Sequence, residues 1–359
     1  MSLPKPIKIN IERYIGGLSK FKKINNPIKL SANESALGAS PKAIKAFEKD
    51  KNNILSYPES DSNTLRKEIS KKFNIELDRI ICGSGSDQIF DLTCKLFLKE
   101  GDEVIVSEYG FIMHKIYASL SGAKVLLAKE DNYKASVDKI VEKVNNKTKI
   151  VFIANPNNPT GTYLSKNEML NLRKKLRSDI LLVVDDAYFE FMNKDDFNSG
   201  LDIFKEEPNV LITRTFSKIY GLAGLRLGWG YSSKEIIEAM YQIKPPFNVN
   251  RAALVAGTEA INDSEWTEKA IAHNTLWADK IFSALKENKI ETNKPTANFF
   301  LMNFDKAKFN SEEAFEKLAN ERIILRKMTQ YKINNSLRLT IGDELSNIHF
   351  IKTIRNIFK

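Results

Sequence analysis

In the run Thr213-Arg-Thr-Phe-Ser-Lys-Ile-Tyr-Gly-Leu-Ala-Gly-Leu-Arg-Leu-Gly-Trp229, a lysine follows two hydroxyl residues closely and precedes an arginine by eight positions. The amine of Lys218 is a nucleophile that condenses with an aldehyde, while Thr215, Ser217 and Arg226 are groups that hold a phosphate. An aldehyde and a phosphate on one small molecule describe pyridoxal phosphate, so the run reads as a site for that cofactor. A solvated loop lysine is the plain alternative, and this run alone does not separate the two.

Four further pieces fall where strands are expected to end. Cys82-Gly-Ser-Gly-Ser-Asp-Gln88 leads from a strand into a helix expected over residues 89–98. Small residues ahead of a helix expose backbone N–H groups to an anion, although a tight turn has the same composition. Asn155-Pro-Asn-Asn-Pro-Thr-Gly161 is a loop punctuated by two Asn-Pro steps, and Asn158 on it can hydrogen-bond a phenolic oxygen. In Asp185-Asp-Ala-Tyr188, a buried carboxylate beside a pyridine nitrogen would keep that nitrogen protonated, and Tyr188 would reach the same phenolic oxygen as Asn158. Leu337-Arg338-Leu-Thr-Ile-Gly342 puts an arginine in an otherwise apolar strand. Such an arginine either pairs with an internal acid or awaits an anionic ligand such as a carboxylate.

The elements that must position these groups are visible as short β-rich runs over residues 79–82, 103–107, 149–154, 180–184 and 209–213, with helical segments between several of them. This alternation predicts an α/β domain with a mostly parallel sheet. Ser165-Lys-Asn-Glu168 is a capping box that starts one crossover helix. After Pro245-Pro246, one helical stretch is expected from about Arg251 to Lys286. A serine-initiated helix at Ser311 and a strand over residues 336–341 follow, making a smaller α+β domain. The expected division is residues 1–45 as an N-terminal arm and part of the small domain, 46–250 as the large cofactor-binding domain, and 251–359 as the rest of the small domain.

Composition narrows the function classes. The chain has 359 residues, 42% hydrophobic and 28% charged, ordinary values for a soluble protein. No apolar run approaches the length of a membrane helix and the start lacks a secretory core, so the cytoplasm is expected. Cys82 and Cys94 are expected to be reduced, and the 3 histidines are scattered, so no structural metal is expected. The net charge of +10 comes from lysines spread among acids, which predicts a solvated surface and no nucleic-acid face.

The order of glycine loop, Asn-Pro loop, Asp-x-x-Tyr, Ser-Lys, Arg and C-terminal Arg resembles the fold-type-I pyridoxal-phosphate-dependent aminotransferases over nearly the whole chain. Within them the chain looks most like the histidinol-phosphate aminotransferase family, through Arg13-Tyr-Ile-Gly-Gly17, Leu30-Ser-Ala-Asn-Glu34, Ser56-Tyr-Pro58, Pro246-Phe-Asn-Val-Asn250 and Ile324-Leu-Arg-Lys-Met328. The resemblance implies Lys218 as Schiff-base lysine and proton shuttle, Asp185 at the pyridine nitrogen, and Asn158 and Tyr188 at the phenolic oxygen. It implies Ser86, Asp87, Gln88, Thr215, Ser217 and Arg226 at the cofactor phosphate. Tyr57 is implied to reach that phosphate from the partner of a homodimer. Arg338 is implied to bind the substrate carboxylate, with Tyr14, Asn33 and Arg326 lining the substrate pocket. In Glu108-Tyr-Gly-Phe-Ile-Met-His114, Phe111 takes the ring-stacking position, with Tyr109 as the alternative, and His114 stands where the family usually has tyrosine.

The activity so implied is amino transfer from L-histidinol phosphate to 2-oxoglutarate. An aromatic-amino-acid aminotransferase, a phosphothreonine decarboxylase of the same design, and a cofactor-binding regulator without turnover are the competing expectations.

Overall fold

The computed structural model describes residues 11, 13–18 and 25–359. Its centre is a seven-stranded sheet built from β1 (Ile80–Gly83), β2 (Glu103–Ser107), β3 (Lys124–Ala128), β4 (Thr148–Ala154), β5 (Leu181–Asp185), β6 (Val210–Thr215) and β7 (Gly228–Tyr231), in the spatial order β1-β7-β6-β5-β4-β2-β3. All neighbours pair in parallel except β7, which runs antiparallel to both β1 and β6. Strands β1, β2, β5, β6 and β7 are buried at every residue. Their continuous apolar runs follow from helices covering both faces of a mostly parallel sheet. One face packs Ile105, Val151, Ile153, Leu182, Val184 and Ile212 into the largest core, and the other packs Val104, Val106, Ile150, Leu181, Val183 and Leu211 into a second. The alternation along each strand sends successive residues to opposite cores. The α/β reading therefore holds, and two strands absent from it, β3 and β7, complete the sheet.

Local chemistry sets the helix ends. The expected capping box is present: Ser165 Oγ accepts from the Glu168 amide at 3.3 Å while the Glu168 carboxylate accepts from the Ser165 amide at 2.7 Å. Helix Lys234–Ile243 stops at Lys244, which is extended (φ −65°, ψ 144°) as a residue before proline must be. Two expectations need correction. The stretch from Arg251 is two helices, Arg251–Asn262 and Ser264–Glu287, because Asp263 leaves helical geometry at ψ 72°. The helix at Ser311 is capped by Asn310, not by the serine: the Asn310 side chain accepts from the Glu312 and Glu313 amides, and the Glu313 carboxylate accepts from the Asn310 amide. Asparagine serves this position as well as serine does.

C-terminal to Asp263 a separate core forms around Trp277, Ile281, Leu285, Phe300, Met302, Phe315, Leu318, Leu337, Leu339, Phe350 and Ile354. Its antiparallel sheet has β8 (Phe299–Asn303), β9 (Arg326–Lys327) and β10 (Ser336–Thr340) in the order β8-β10-β9. Leu30 enters this core from the far end of the sequence, and Ile28–Lys29 pairs in parallel with Ile323–Ile324. Helix Arg251–Asn262, by contrast, buries Ala253, Leu254, Ala256, Ala260 and Ile261 in the large core.

Cys82 and Cys94 are buried free thiols, each pushed up to about 12 by burial, which leaves them protonated and unreactive near neutrality. Among the described residues no group of three or more potential metal ligands occurs, and no helix is long and apolar enough to cross a membrane.

Candidate active site

Parallel neighbours deliver their C-terminal ends to one edge of a sheet, where α/β folds place ligand sites. Here β4 ends at Ala154, opposite Asp185 at the end of β5, which is in turn opposite Thr213 of β6. The loops that follow carry Asn158, Tyr188, Ser217 and Lys218. They converge with Arg326 and Arg338 of the small sheet on one cavity of about 270 Å³. A larger cleft of about 750 Å³, lined by Tyr133, Lys286, Lys289, Glu291 and Lys306 among others, gathers no such set.

At one end of the cavity is an anion cup. Sheet register puts Gly228 between Gly83 of β1 and Thr215 of β6. A Cβ on Gly228 would lie 2.3 Å from the Ser86 amide nitrogen, so only glycine lets helix Ser86–Phe97 begin this close to Thr215. Gly85 has φ +79°, and a Cβ there would meet the Arg226 guanidinium at 2.5 Å. The absence of both side chains opens a pocket of amides, hydroxyls and a guanidinium, the donor set that suits a phosphate at a helix N-terminus. Arg226 is held by Ser217 Oγ at 3.3 Å, the Ala223 carbonyl at 3.0 Å and Asp87 Oδ2 at 3.1 Å. Burial raises the Asp87 pKa against the pull of Arg226, and its Oδ1 is buried without a partner. Gln88 does not line the cavity: its side-chain oxygen accepts from the Ser84 amide and from Asn248 Nδ2, both at 2.8 Å, bracing the glycine loop from behind.

In the middle, Asp185 is buried, with Thr213 Oγ1 donating to its Oδ1 at 3.3 Å and His114 Nε2 at 3.5 Å from its Oδ2. His114 is itself enclosed, stacked on Phe152 at 4.7 Å with Phe90 and Phe111 edge-on. The sequence flagged His114 only as a departure from a tyrosine. Its approach to a carboxylate from a helix (Ile112–Leu120) on a different strand connection could not be read there. Phe111 lines the cavity, whereas Tyr109 turns away and packs on Tyr133 with 5.5 Å between ring centres.

Lys218 reaches into the cavity, its Nζ 3.4 Å from the Asn33 carbonyl and 5.4 Å from the centre of the Tyr188 ring. Burial, and next the Arg338 guanidinium, pull its pKa down to about 8. An appreciable share of the amine is therefore neutral and nucleophilic near physiological pH. Asn33, at φ +54°, ties the two cores together here. Its Nδ2 donates to the Tyr188 hydroxyl at 2.9 Å, and its Oδ1 accepts from Thr340 Oγ1 at 3.1 Å. Burial pushes the Tyr188 phenol up to about 12, so it stays protonated.

The far wall is cationic. Arg326 and Arg338 are directly opposite on β9 and β10, both buried. Like charges so placed repel, and among the described residues neither has a carboxylate partner. Arg338 instead donates to Asn158 Oδ1 and, at 3.1 Å, to the Ser31 carbonyl, leaving its Nε buried and unpaired. Of the two roles open to this arginine from sequence, the internal ion pair is not found among the described residues. Tyr14 places its ring 5.5 Å from the Arg326 guanidinium. Tyr57 does not reach this cavity: it is 80% exposed and stacked on Phe247 at 4.5 Å, beside Ile54 and Leu55, which are 85% and 86% exposed.

Comparison with known proteins agrees with this geometry. Residues 25–354 match the family described as aminotransferase class I and II. The chain is 54% identical to a histidinol-phosphate aminotransferase of Pelagibacter ubique, over 100% of both chains. It is 38% identical to one of Maricaulis maris over 99% of each. Among solved structures, the histidinol-phosphate aminotransferase of Sinorhizobium meliloti in complex with pyridoxal-5'-phosphate superposes with a TM-score of 0.84 over 91% of each chain, at 20% identity. The enzyme of the same name from Clostridium acetobutylicum gives 0.83 over 91% of this chain and 98% of that one, at 22% identity. At these identities the structures speak to the fold, which they share with this chain.

Proposed function

This chain belongs to the class I and II aminotransferases and, within them, to the histidinol-phosphate aminotransferase family, and we propose that it moves the amino group of L-histidinol phosphate to 2-oxoglutarate, giving imidazole acetol phosphate and L-glutamate. The observation that carries the substrate reading is the opposed pair Arg326 and Arg338, because two adjacent buried guanidiniums are best satisfied by a dianion such as a phosphate ester.

Pyridoxal phosphate fits the residues present: a side-chain-free cup at Gly85 and Gly228 beside the Arg226 guanidinium, and a lysine of lowered pKa within one cavity. Bound there, the cofactor supplies an aldehyde that captures the donor amine and a ring that accepts the electron pair of the Cα–H bond. Lys218 Nζ would hold the cofactor through that aldehyde carbon and, once freed by the donor amine, would carry the Cα proton across the nitrogen to the former aldehyde carbon. The Asp185 carboxylate, flanked by Thr213 and His114, would hold a proton on the ring nitrogen. Asn158 and Tyr188 address the phenolic oxygen, and Phe111 covers a ring face. Ser86, Thr215, Ser217 and Arg226 hold the phosphate, with Asp87 aiming Arg226 and Gln88 bracing the loop. Arg338 binds the carboxylate of the amino acceptor, and Asn33, Tyr14 and Arg326 shape the substrate side.

We further propose a homodimer in which the exposed apolar segment Ile54, Leu55 and Tyr57 packs on a second copy and brings Tyr57 to that copy's phosphate cup. The domain reading places the cofactor in a large domain over 46–250, extended by helix Arg251–Asn262 on the same core. Residues 28–30 join the C-terminal part in the small one. The working compartment is proposed to be the cytoplasm.

A half-reaction panel tests the function. Histidinol phosphate should convert the bound cofactor to its amine form with kcat/KM at least about tenfold above phenylalanine, while phosphothreonine yields no decarboxylation. Preference for phenylalanine, or decarboxylation, would contradict the substrate reading, and inertness toward every donor would point to a regulator. Substituting Arg326→Ala should raise KM for the phosphate donor about 30-fold, the scale of losing a charged hydrogen-bonding partner. Loading offers a pH test. For the cofactor-free protein the rate of aldehyde uptake should climb from about pH 7 and level off by about pH 9, as the Lys218 ammonium with its pKa lowered to about 8 gives up its proton. A rate that keeps climbing about tenfold per pH unit beyond about pH 9, as for an ordinary lysine, would contradict a lowered lysine pKa.

A further inference from the structure

Residues 13–18 pass over the substrate side of the cavity, and a single side chain of the small domain grips them. Gln330 Oε1 accepts from the Ile15 amide at 3.1 Å, and Gln330 Nε2 donates to the Arg13 carbonyl at 3.0 Å. In an extended segment the carbonyl of one residue and the amide of the second one along point to the same side, so a primary amide closes both bonds while straddling the residue between. That residue is Tyr14. The same Oε1 also accepts from Arg326 Nη2 at 3.3 Å, which joins the arm, the tyrosine and one of the two opposed arginines through one atom. A second fastening lies downstream: Ser31 Oγ donates to the Leu18 carbonyl at 2.7 Å, and a Cβ on Gly17 would fall 2.4 Å from the Ser31 carbonyl. The arm is thus seated at both ends of Tyr14 and pressed close at Gly17.

We infer that Gln330 is the latch that sets Tyr14 against Arg326, and that this latch governs the preference for a phosphate-bearing amino donor over one that carries only carboxylates. The inference rests on the functional reading above. A phosphate ester is longer and more highly charged than a carboxylate. A carboxylate is satisfied by Arg338 alone, whereas a phosphate spans to Arg326 and the tyrosine beside it. Gln330 touches none of the reacting groups and is a positioning residue. Glutamate at this position would keep the acceptor, lose the donor to Arg13 and put a negative charge against Arg326. Asparagine is one methylene too short to make both bonds.

Three measurements on the cofactor-loaded protein test this. With Gln330→Ala, KM for histidinol phosphate should rise about tenfold while kcat and the KM for L-glutamate stay within about twofold. Gln330→Glu should raise the KM for histidinol phosphate further than alanine does, which loss of packing alone would not produce. Trypsin cleavage after Arg13, followed as the fragment that begins at Tyr14, should run about fivefold faster in Gln330→Ala. Equal KM changes for both donors, or unaltered cleavage after Arg13, would overturn the latch. An unaltered protein that ignores histidinol phosphate sinks the functional reading separately, and the cleavage rate still decides whether Gln330 holds the arm.

Discussion

Lys218→Ala is expected to abolish amino transfer, with kcat/KM falling by at least about five orders of magnitude, while circular dichroism and the thermal midpoint stay near those of the unaltered protein. The size of the loss follows from the two jobs one atom holds. In the proposed role Lys218 Nζ would be both the covalent anchor and the proton carrier, and among the described residues no second amine lines the cavity. Tyr188 is pushed up to about 12 by burial, so it keeps its own proton near neutrality and takes no other. The fold should tolerate the change because Lys218 makes one long hydrogen bond, 3.4 Å to the Asn33 carbonyl, beside a distant contact with the Tyr188 ring, and its burial disfavours the charged amine. Turnover within about tenfold of the unaltered protein would remove the lysine from its proposed role.

Asp185→Asn is the second large effect: the cofactor should remain bound while turnover drops about a thousandfold. The carboxylate is buried, flanked by Thr213 Oγ1 at 3.3 Å and His114 Nε2 at 3.5 Å, so its charge acts in a site with little water to screen it. An amide of the same shape keeps the packing but no longer favours a protonated ring nitrogen. Retained binding with lost rate separates this role from that of the phosphate cup, where changes at Arg226 should weaken binding first. An unchanged rate in Asp185→Asn would count against the pairing with the ring nitrogen.

Much of this site was legible in the sequence because its residues follow strand ends, and the strands announce themselves as apolar runs. Asp185, Asn158 and Lys218 could be placed from Val184, Ala154 and Thr213 alone, since parallel neighbours must share an edge. What escaped lacked a local pattern. Strand β7 is Gly-Trp-Gly-Tyr, whose glycines carry no strand preference, and their value lies in the space Gly228 leaves for Ser86 and Gly230 for Ile89. Strand β3 sits at the sheet edge with only Ala128 of its five residues buried, so its run reads weakly. The break at Asp263 interrupts a helical period without glycine or proline. Gln330 reaches Arg13 and Ile15 from more than 300 residues away, a relation that only the folded chain displays. Tyr57 gives the reverse case: the resemblance singles it out, and in this chain it stacks on Phe247 at the surface, away from the cavity.

The account stands on a covalent bond between the amine of residue 218 and the cofactor aldehyde. Borohydride reduction of the cofactor-saturated protein, followed by peptide mapping, should find the pyridoxyl adduct on Lys218 at close to one per chain and on no other lysine in comparable yield. An unmodified Lys218 in such a sample, or an adduct on a different residue, would contradict it.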